Sequence, residues 1–127
     1  VAQEEIKKLK MKESKVATKI DKVLKKCDEY KESAAELIKV GQYGEAVNIY
    51  KKASNSLESA VEDFPLFKKE LSMCEASIFN NIAVCYKKEL NSKLEIEFTS
   101  KVIDRSQYIS DPMMIIKAFL RRGLAYE

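Results

Sequence analysis

An opening stretch of 40 residues without glycine or proline constrains the fold of this chain more than any other feature. Positions spaced alternately three and four residues apart along it are all apolar or aromatic except Glu13: Ile6, Leu9, Glu13, Val16, Ile20, Val23, Cys27, Tyr30, Ala34 and Leu37. That spacing lies on one face of an α-helix. Glycine readily ends helices, and a basic residue such as Lys39 interacts favourably with the carbonyl end. We therefore predict one long amphipathic helix that ends before Gly41.

The remainder of the chain predicts four more helices separated by short breaks. The second follows the loop 41–44 and closes before Phe64-Pro65, the third covers about 65–89, and the fourth covers about 93–106. Asp111-Pro112 opens the fifth, since proline is favoured at a helix start. Only 3 glycines and 2 prolines occur in 127 residues, and such short loops join antiparallel neighbours. We expect a single all-α domain.

Histidine is absent, which removes the residue that most often serves as a general base or metal ligand. No phosphate-binding glycine loop and no cluster of carboxylates is found, so we expect neither an enzyme nor a cofactor or metal site. Cys27, Cys74 and Cys85 lack metal-ligand spacing and are interpreted as small buried side chains. Without a signal-peptide pattern or an apolar run of membrane-spanning length, we expect a reducing, cytoplasmic location and no membrane partner.

The net charge of +3 is concentrated at one end of the chain, because residues 1–31 hold ten lysines against six acidic residues. The sequence has only three arginines, Arg105, Arg121 and Arg122. Arginine is the residue expected where bases or phosphates are bound in a bidentate manner. We therefore interpret the basic segment as a solvated helix face and do not expect nucleic acid as a partner.

A pattern of three residue types recurs in three segments, which begin at Tyr30, Phe79 and Phe119. In each segment a small residue follows the aromatic one after four positions, and a large residue follows three positions later. The small residues are Ala34, Ala83 and Gly123. Small side chains let two helices approach closely, so the pattern predicts repeated helix crossings.

Together with Gly41, Tyr43, Ala46, Tyr50 and Ala53 after the first segment, this pattern resembles the tetratricopeptide repeat, whose unit has about 34 residues. The resemblance covers residues 26–127, with repeats at about 26–64 and 74–110 and a partial third at 112–127. It implies antiparallel helical hairpins stacked as a short solenoid, with residues 1–25 as an N-terminal helix continuous with the first repeat. The units start 49 and 40 residues apart, so their helices are longer than usual.

Segments 80–86 and 117–126 look specifically like the eukaryotic co-chaperone branch of this family. Members of that branch bind the acidic C-terminal peptide of cytosolic heat-shock chaperones through a clamp that holds two carboxylates. The resemblance implies peptide-binding residues on the first helix of each unit: Lys31, Asn81, Lys117 and Arg121. It thus implies a protein–protein interaction module.

Ala35 departs from the clamp pattern, because the family has asparagine at this position. A lost hydrogen bond to a charged group costs about 1.5–3 kcal/mol. If the clamp is not used, the groove would take a different peptide, with Glu36, Asn80 and Arg122 as candidate selectors.

Two other interpretations of the chain remain open. The 3.5-residue period of the first helix favours a coiled-coil-like seam, so this helix could mediate oligomerisation or partner docking while the clamp is vestigial. Segment 30–60, with Gly41-Gln42-Tyr43-Gly44-Glu45-Ala46, also resembles a microtubule-interacting-and-trafficking-type three-helix domain, which does not account for the units around Asn81 and Arg121.

The last helix carries an apolar face that no predicted helix covers: Met113, Ile116, Phe119, Leu120 and Leu124. Repeat arrays usually hide such a face beneath a capping helix. We expect a longer parent chain, a partner protomer or a swapped helix to cover it.

Overall fold

The computed structural model describes the backbone of residues 2–109 and 112–126 and the side chains of residues 18–109 and 115–124. Five α-helices follow one another within these ranges: α1 (Ala2–Lys39), α2 (Tyr43–Asp63), α3 (Lys68–Lys88), α4 (Ser92–Asp104) and α5 (Pro112–Tyr126). Single 3-10 turns, Pro65–Phe67 and Ser106–Tyr108, lie in two of the connections. The predicted all-α class is confirmed for this part of the chain, and every predicted break lies close to an observed one.

The helices pack in the order of the sequence, each mainly against its neighbours. Hydrogen bonds between side chains also join α1 to α3 and α5 to α3. The ammonium group of Lys51 in α2 lies 5.8 Å from the ring centre of Phe98 in α4. These contacts connect α1 and α5 to α3, and α2 to α4.

The core centres on α3. Its largest aliphatic side chains have no exposed surface: Leu57, Leu71, Ile78, Ile82 and Val102. Phe98 of α4 lies 5.9 Å from Phe79 and 5.6 Å from Tyr86, measured between ring centres. Such tilted aromatic pairs stabilise a core beyond the area that they bury. The core therefore fixes α3 against both α2 and α4.

Two of the three small residues of the repeat pattern occupy tight positions. Ala34 and Ala83 are completely buried, as expected for residues at helix crossings. Gly123 is exposed, and a Cβ atom placed there would meet no other atom within 4 Å. No described helix crosses α5 at this position, so the structure gives no packing reason for glycine there.

The apolar stripe of α1 packs within this chain along its described portion. Ile20, Cys27 and Ala34 are buried in the core. Val23, Tyr30 and Leu37 are half-buried against it. This part of the apolar stripe is therefore covered by the protein's own core. The stripe residues from Ile6 to Val16 lie outside the described side chains.

The cysteines behave as buried apolar groups at two of the three positions. Cys27 and Cys85 are buried, and Cys74 is half-buried. Burial, aided by the neighbouring Cys74, raises the pKa of Cys27 to about 11. Burial and Glu89 raise the pKa of Cys85 to about 11. Both thiols are therefore protonated at neutral pH and are poor nucleophiles.

The apolar face of α5 is exposed, as the sequence predicted. Ile116 and Phe119 are each 49% exposed, Leu120 is 62% exposed and Leu124 is 60% exposed. Ala118, on the other side of the helix, is fully buried. Met113 lies outside the described side chains.

Helices α1 and α3 end in the same hydrogen-bonded motif. After α1, the N–H of Gly41 donates to the carbonyl of Ile38 (3.0 Å) and the N–H of Gln42 to that of Leu37 (2.9 Å). After α3, Leu90 and Asn91 make the equivalent bonds. The central residue has a φ of +78° at Gly41 and +59° at Leu90. Glycine adopts this left-handed conformation without strain, whereas leucine does not.

Replacing Leu90 with glycine should therefore stabilise the protein by about 0.5–1 kcal/mol. Leu90 is 89% exposed, so little apolar burial is lost. Urea unfolding of the wild type and Leu90→Gly measures the difference. Gly41→Leu, the reverse change at the matching helix end, should destabilise the protein. Equal stability of all three proteins would contradict the left-handed conformation at Leu90.

Candidate functional site

Lys31 is on α1 and reaches across to α3. Its ammonium nitrogen Nζ donates a hydrogen bond to the hydroxyl oxygen of Ser77 at 3.3 Å. The side chain is half-buried between the two helices. Lys31 thus links α1 to α3.

Arg121 is on α5 and reaches α3 from the other side. Its Nη1 donates to the amide oxygen Oδ1 of Asn80 at 2.6 Å. Burial lowers the pKa of Arg121, and the negative charge of nearby Glu95 opposes that effect. Because the guanidinium of arginine keeps its proton in proteins, Arg121 brings a fixed positive charge to this surface.

These two contacts meet on one face of α3. Ser77 and Asn80 are three residues apart, and residues at this spacing are neighbours on a helix surface. Lys31 and Arg121 therefore approach α3 within about one turn of each other. Lys117 lies one turn before Arg121 on α5 and is exposed. Two of the four predicted peptide-binding residues thus place cations at one turn of α3.

Asn81, the fourth predicted residue, lies near Tyr50 of α2. Burial raises the pKa of Tyr50, with a smaller contribution from Cys85, and the side chain of Asn81 opposes this rise. The neighbouring residue Asn80, and not Asn81, accepts the hydrogen bond from Arg121.

The remaining candidates lie nearby on the surface. Ala35 is exposed one turn after Lys31. Glu36 forms an ion pair with Lys39 on the same helix, with 3.1 Å between charged atoms. The guanidinium carbon of Arg122 lies 5.4 Å from the ring centre of Phe119, so this arginine covers part of the apolar face of α5.

Sequence reasoning missed two features of the site and its surroundings. Ser77, which accepts the bond from Lys31, belongs to no family motif, and only its position one turn before Asn81 could have indicated it. An ion pair between Glu75 on α3 and Arg105 after α4 also escaped prediction, with 3.4 Å between charged atoms. These residues are 30 positions apart, so no local pattern connects them.

Comparison of the chain with protein-family models, curated proteins and solved structures found no match. Among the described residues, no helix combines the length and apolar character needed to cross a membrane. The same part of the chain holds no group of three or more Cys, Asp or Glu side chains arranged to bind a metal ion.

Proposed function

We propose that this chain is a tetratricopeptide-repeat-type binding module that holds the acidic C-terminal peptide of a heat-shock-chaperone-class protein in the groove formed by α1, α3 and α5. One observation carries the proposal. Lys31 and Arg121 come from opposite ends of the helix series, yet they contact side chains one turn apart on α3. Two cations on one helix turn suit a ligand with two neighbouring carboxylates.

The electrostatic state of these cations supports the same conclusion. Within the described residues, neither Lys31 nor Arg121 takes part in an ion pair. Each donates a hydrogen bond to a neutral side-chain oxygen instead. A peptide carboxylate would replace these neutral acceptors by charged ones, and charge-assisted hydrogen bonds are roughly twice as strong. The exposed ammonium of Lys117 adds a third donor. The groove is thus suited to a terminal carboxylate beside an acidic side chain.

Calorimetric titration with an acidic peptide ending in Glu-Glu-Val-Asp tests this proposal. Replacing Arg121 with alanine should weaken binding about ten- to a hundredfold, because a charged hydrogen bond is worth about 1.5–3 kcal/mol. Arg122→Ala is the matched control, since it removes the same charge from the next residue of α5 and should leave the affinity nearly unchanged. Amidation of the peptide's C-terminal carboxylate should abolish binding.

Ala35 provides a gain-of-function test of the same groove. Ala35→Asn should tighten binding about tenfold, because the exposed position allows an added amide to reach the carboxylates beside Lys31. Equal binding of the free and amidated peptides would contradict the clamp. A larger loss from Arg122→Ala than from Arg121→Ala would instead favour a different peptide, selected by Glu36, Asn80 and Arg122.

A further inference from the structure

A polar cavity of about 340 Å³ lies where α2 ends, α3 begins and α4 ends. Ser72 and Glu75 of α3 line its buried part. Glu58, Glu62 and Asp104 line its exposed rim. None of the proposed peptide-binding residues belongs to it, so this cavity is a second, separate feature of the molecule. Its volume lies within the range of small-ligand pockets.

Ser72 presents an unused hydroxyl to this cavity. Its side chain belongs to a residue that is only 3% exposed, and the hydroxyl makes no hydrogen bond to any described residue. The hydroxyl oxygen is accessible from the cavity, because it is not one of the fully buried polar atoms that lack a partner. A ligand in the cavity can therefore donate a hydrogen bond to it.

Glu75, next to Ser72, has one carboxylate oxygen without a hydrogen-bond donor among the described residues. The side chain is 6% exposed, and Arg105 donates to one carboxylate oxygen, Oε2, at 3.4 Å. The other oxygen, Oε1, has no donor among the described residues. Because Ser72 and Glu75 are three residues apart on α3, they lie on the same helix face. Two adjacent acceptors therefore line the buried part of the cavity.

The charge of the lining selects the type of ligand. Four carboxylates face two cationic side chains, Lys68 and Arg105, which leaves two uncompensated negative charges. A guanidinium group presents several N–H donors in a fixed planar fork. We propose that this cavity binds a ligand through a guanidinium group, which donates to Oε1 of Glu75 and to the hydroxyl of Ser72. The ligand is either a small free guanidine or an arginine side chain of another protein.

Two probes distinguish these sources in an NMR titration of the full chain. Agmatine represents a free guanidine with a second positive charge, and N-acetyl-arginine amide represents an arginine within a polypeptide. We expect saturable changes in the chemical shifts of the backbone amides around Ser72 and Glu75 at millimolar ligand concentrations. Tighter binding of agmatine would identify a free guanidine as the ligand. Comparable or tighter binding of N-acetyl-arginine amide would identify an arginine side chain.

Ser72→Ala should weaken binding of the better probe about tenfold, since it removes one of the two acceptors. The fold should be retained, because the lost hydroxyl has no protein partner. Ser54→Ala is the matched control: Ser54 is also a buried helical serine, but it does not line the cavity and should leave the affinity unchanged. Glu62→Gln at the rim should weaken binding about two- to threefold by removing one charge. The corresponding change of Glu97, an exposed residue outside the cavity, should not.

The absence of shifts with both probes at about 10 mM would overturn the proposal, because even a weak specific site binds in this range. Equal binding by the wild type and Ser72→Ala would overturn it as well, since it would reveal attraction to the acidic surface alone. Peptide binding in the groove of α1, α3 and α5 is measured separately, so the failure of one proposal leaves the other intact.

Discussion

Ile82→Ala should destabilise the protein by about 3–4 kcal/mol, within the range measured for deletion of a buried isoleucine side chain in other proteins. Ile82 has no exposed surface and lies on α3, the helix that packs against both α2 and α4. Removing three carbon atoms there leaves a cavity that neither neighbour can fill without losing its own contacts. Urea unfolding followed by circular dichroism measures the loss as a shift of the midpoint.

Ile116→Ala provides the matched control for this change. Ile116 is also a helical isoleucine, but it is 49% exposed on the uncovered face of α5. The same deletion there removes about half as much buried surface and leaves no closed cavity, and alanine has the higher helix propensity, so we expect a loss of stability of about 1 kcal/mol or less. Similar losses at both positions would contradict either the burial of Ile82 or the exposure of the α5 face.

The helices could be predicted from the sequence because their signals are local. Gly41 and Asn91 mark helix ends by their own backbone and side-chain chemistry: Gly41 has a φ of +78°, and the Asn91 side chain accepts the N–H of Leu94 at 3.2 Å. The uncovered face of α5 could also be predicted, because it follows from helical spacing. Leu90 gave no such signal, since leucine does not mark a left-handed residue.

The site could be predicted only in part, because its geometry depends on contacts between distant residues. Repeat equivalence identified Lys31 and Arg121 as residues of one face, and both contact α3. The resemblance assigned the peptide-binding role to Asn81 and not to Asn80. Adjacent residues on a helix are turned by about 100°, and only the packed structure shows that Asn80 accepts the hydrogen bond from Arg121. The cavity beside Ser72 forms from three helix ends, so no single segment indicates it.

The ion pair between Glu75 and Arg105 should contribute strongly to the free energy of unfolding. Arg105→Met should destabilise the protein by about 3 kcal/mol at neutral pH, because it leaves a buried carboxylate without its partner. The side chain of Glu75 is only 6% exposed and that of Arg105 is 28% exposed. Arg105 also stacks on Phe79, with 4.7 Å from the guanidinium carbon to the ring centre. Methionine keeps part of this packing, but it removes both the charge and the hydrogen bond from Nη1 to the carbonyl of Lys101 (3.0 Å).

This loss should depend strongly on pH. Burial raises the pKa of Glu75, and the charge and hydrogen bond of Arg105 hold that rise in check. Glu58 raises this pKa further and Lys101 lowers it. A carboxyl whose pKa is higher in the folded than in the unfolded state binds more protons when folded, so its contribution to stability falls as pH rises. Removing Arg105 raises the folded-state pKa further. The difference in unfolding free energy from wild type should therefore shrink as pH is lowered from about 7.5 to about 4, where Glu75 is protonated in the variant.

Two further variants separate the buried charge from other effects of the change. Glu75→Met combined with Arg105→Met should recover most of the loss at neutral pH, since replacing a whole buried pair by apolar groups is often nearly neutral. Lys39→Met removes one partner of the exposed pair with Glu36, whose side chains are 70% and 73% exposed. Such a surface pair contributes less than about 1 kcal/mol, so this loss should be small and nearly independent of pH. A loss in Arg105→Met that stays constant with pH would assign the effect to the stacking on Phe79 and the hydrogen bond to the Lys101 carbonyl, and would show that Glu75 carries no buried charge.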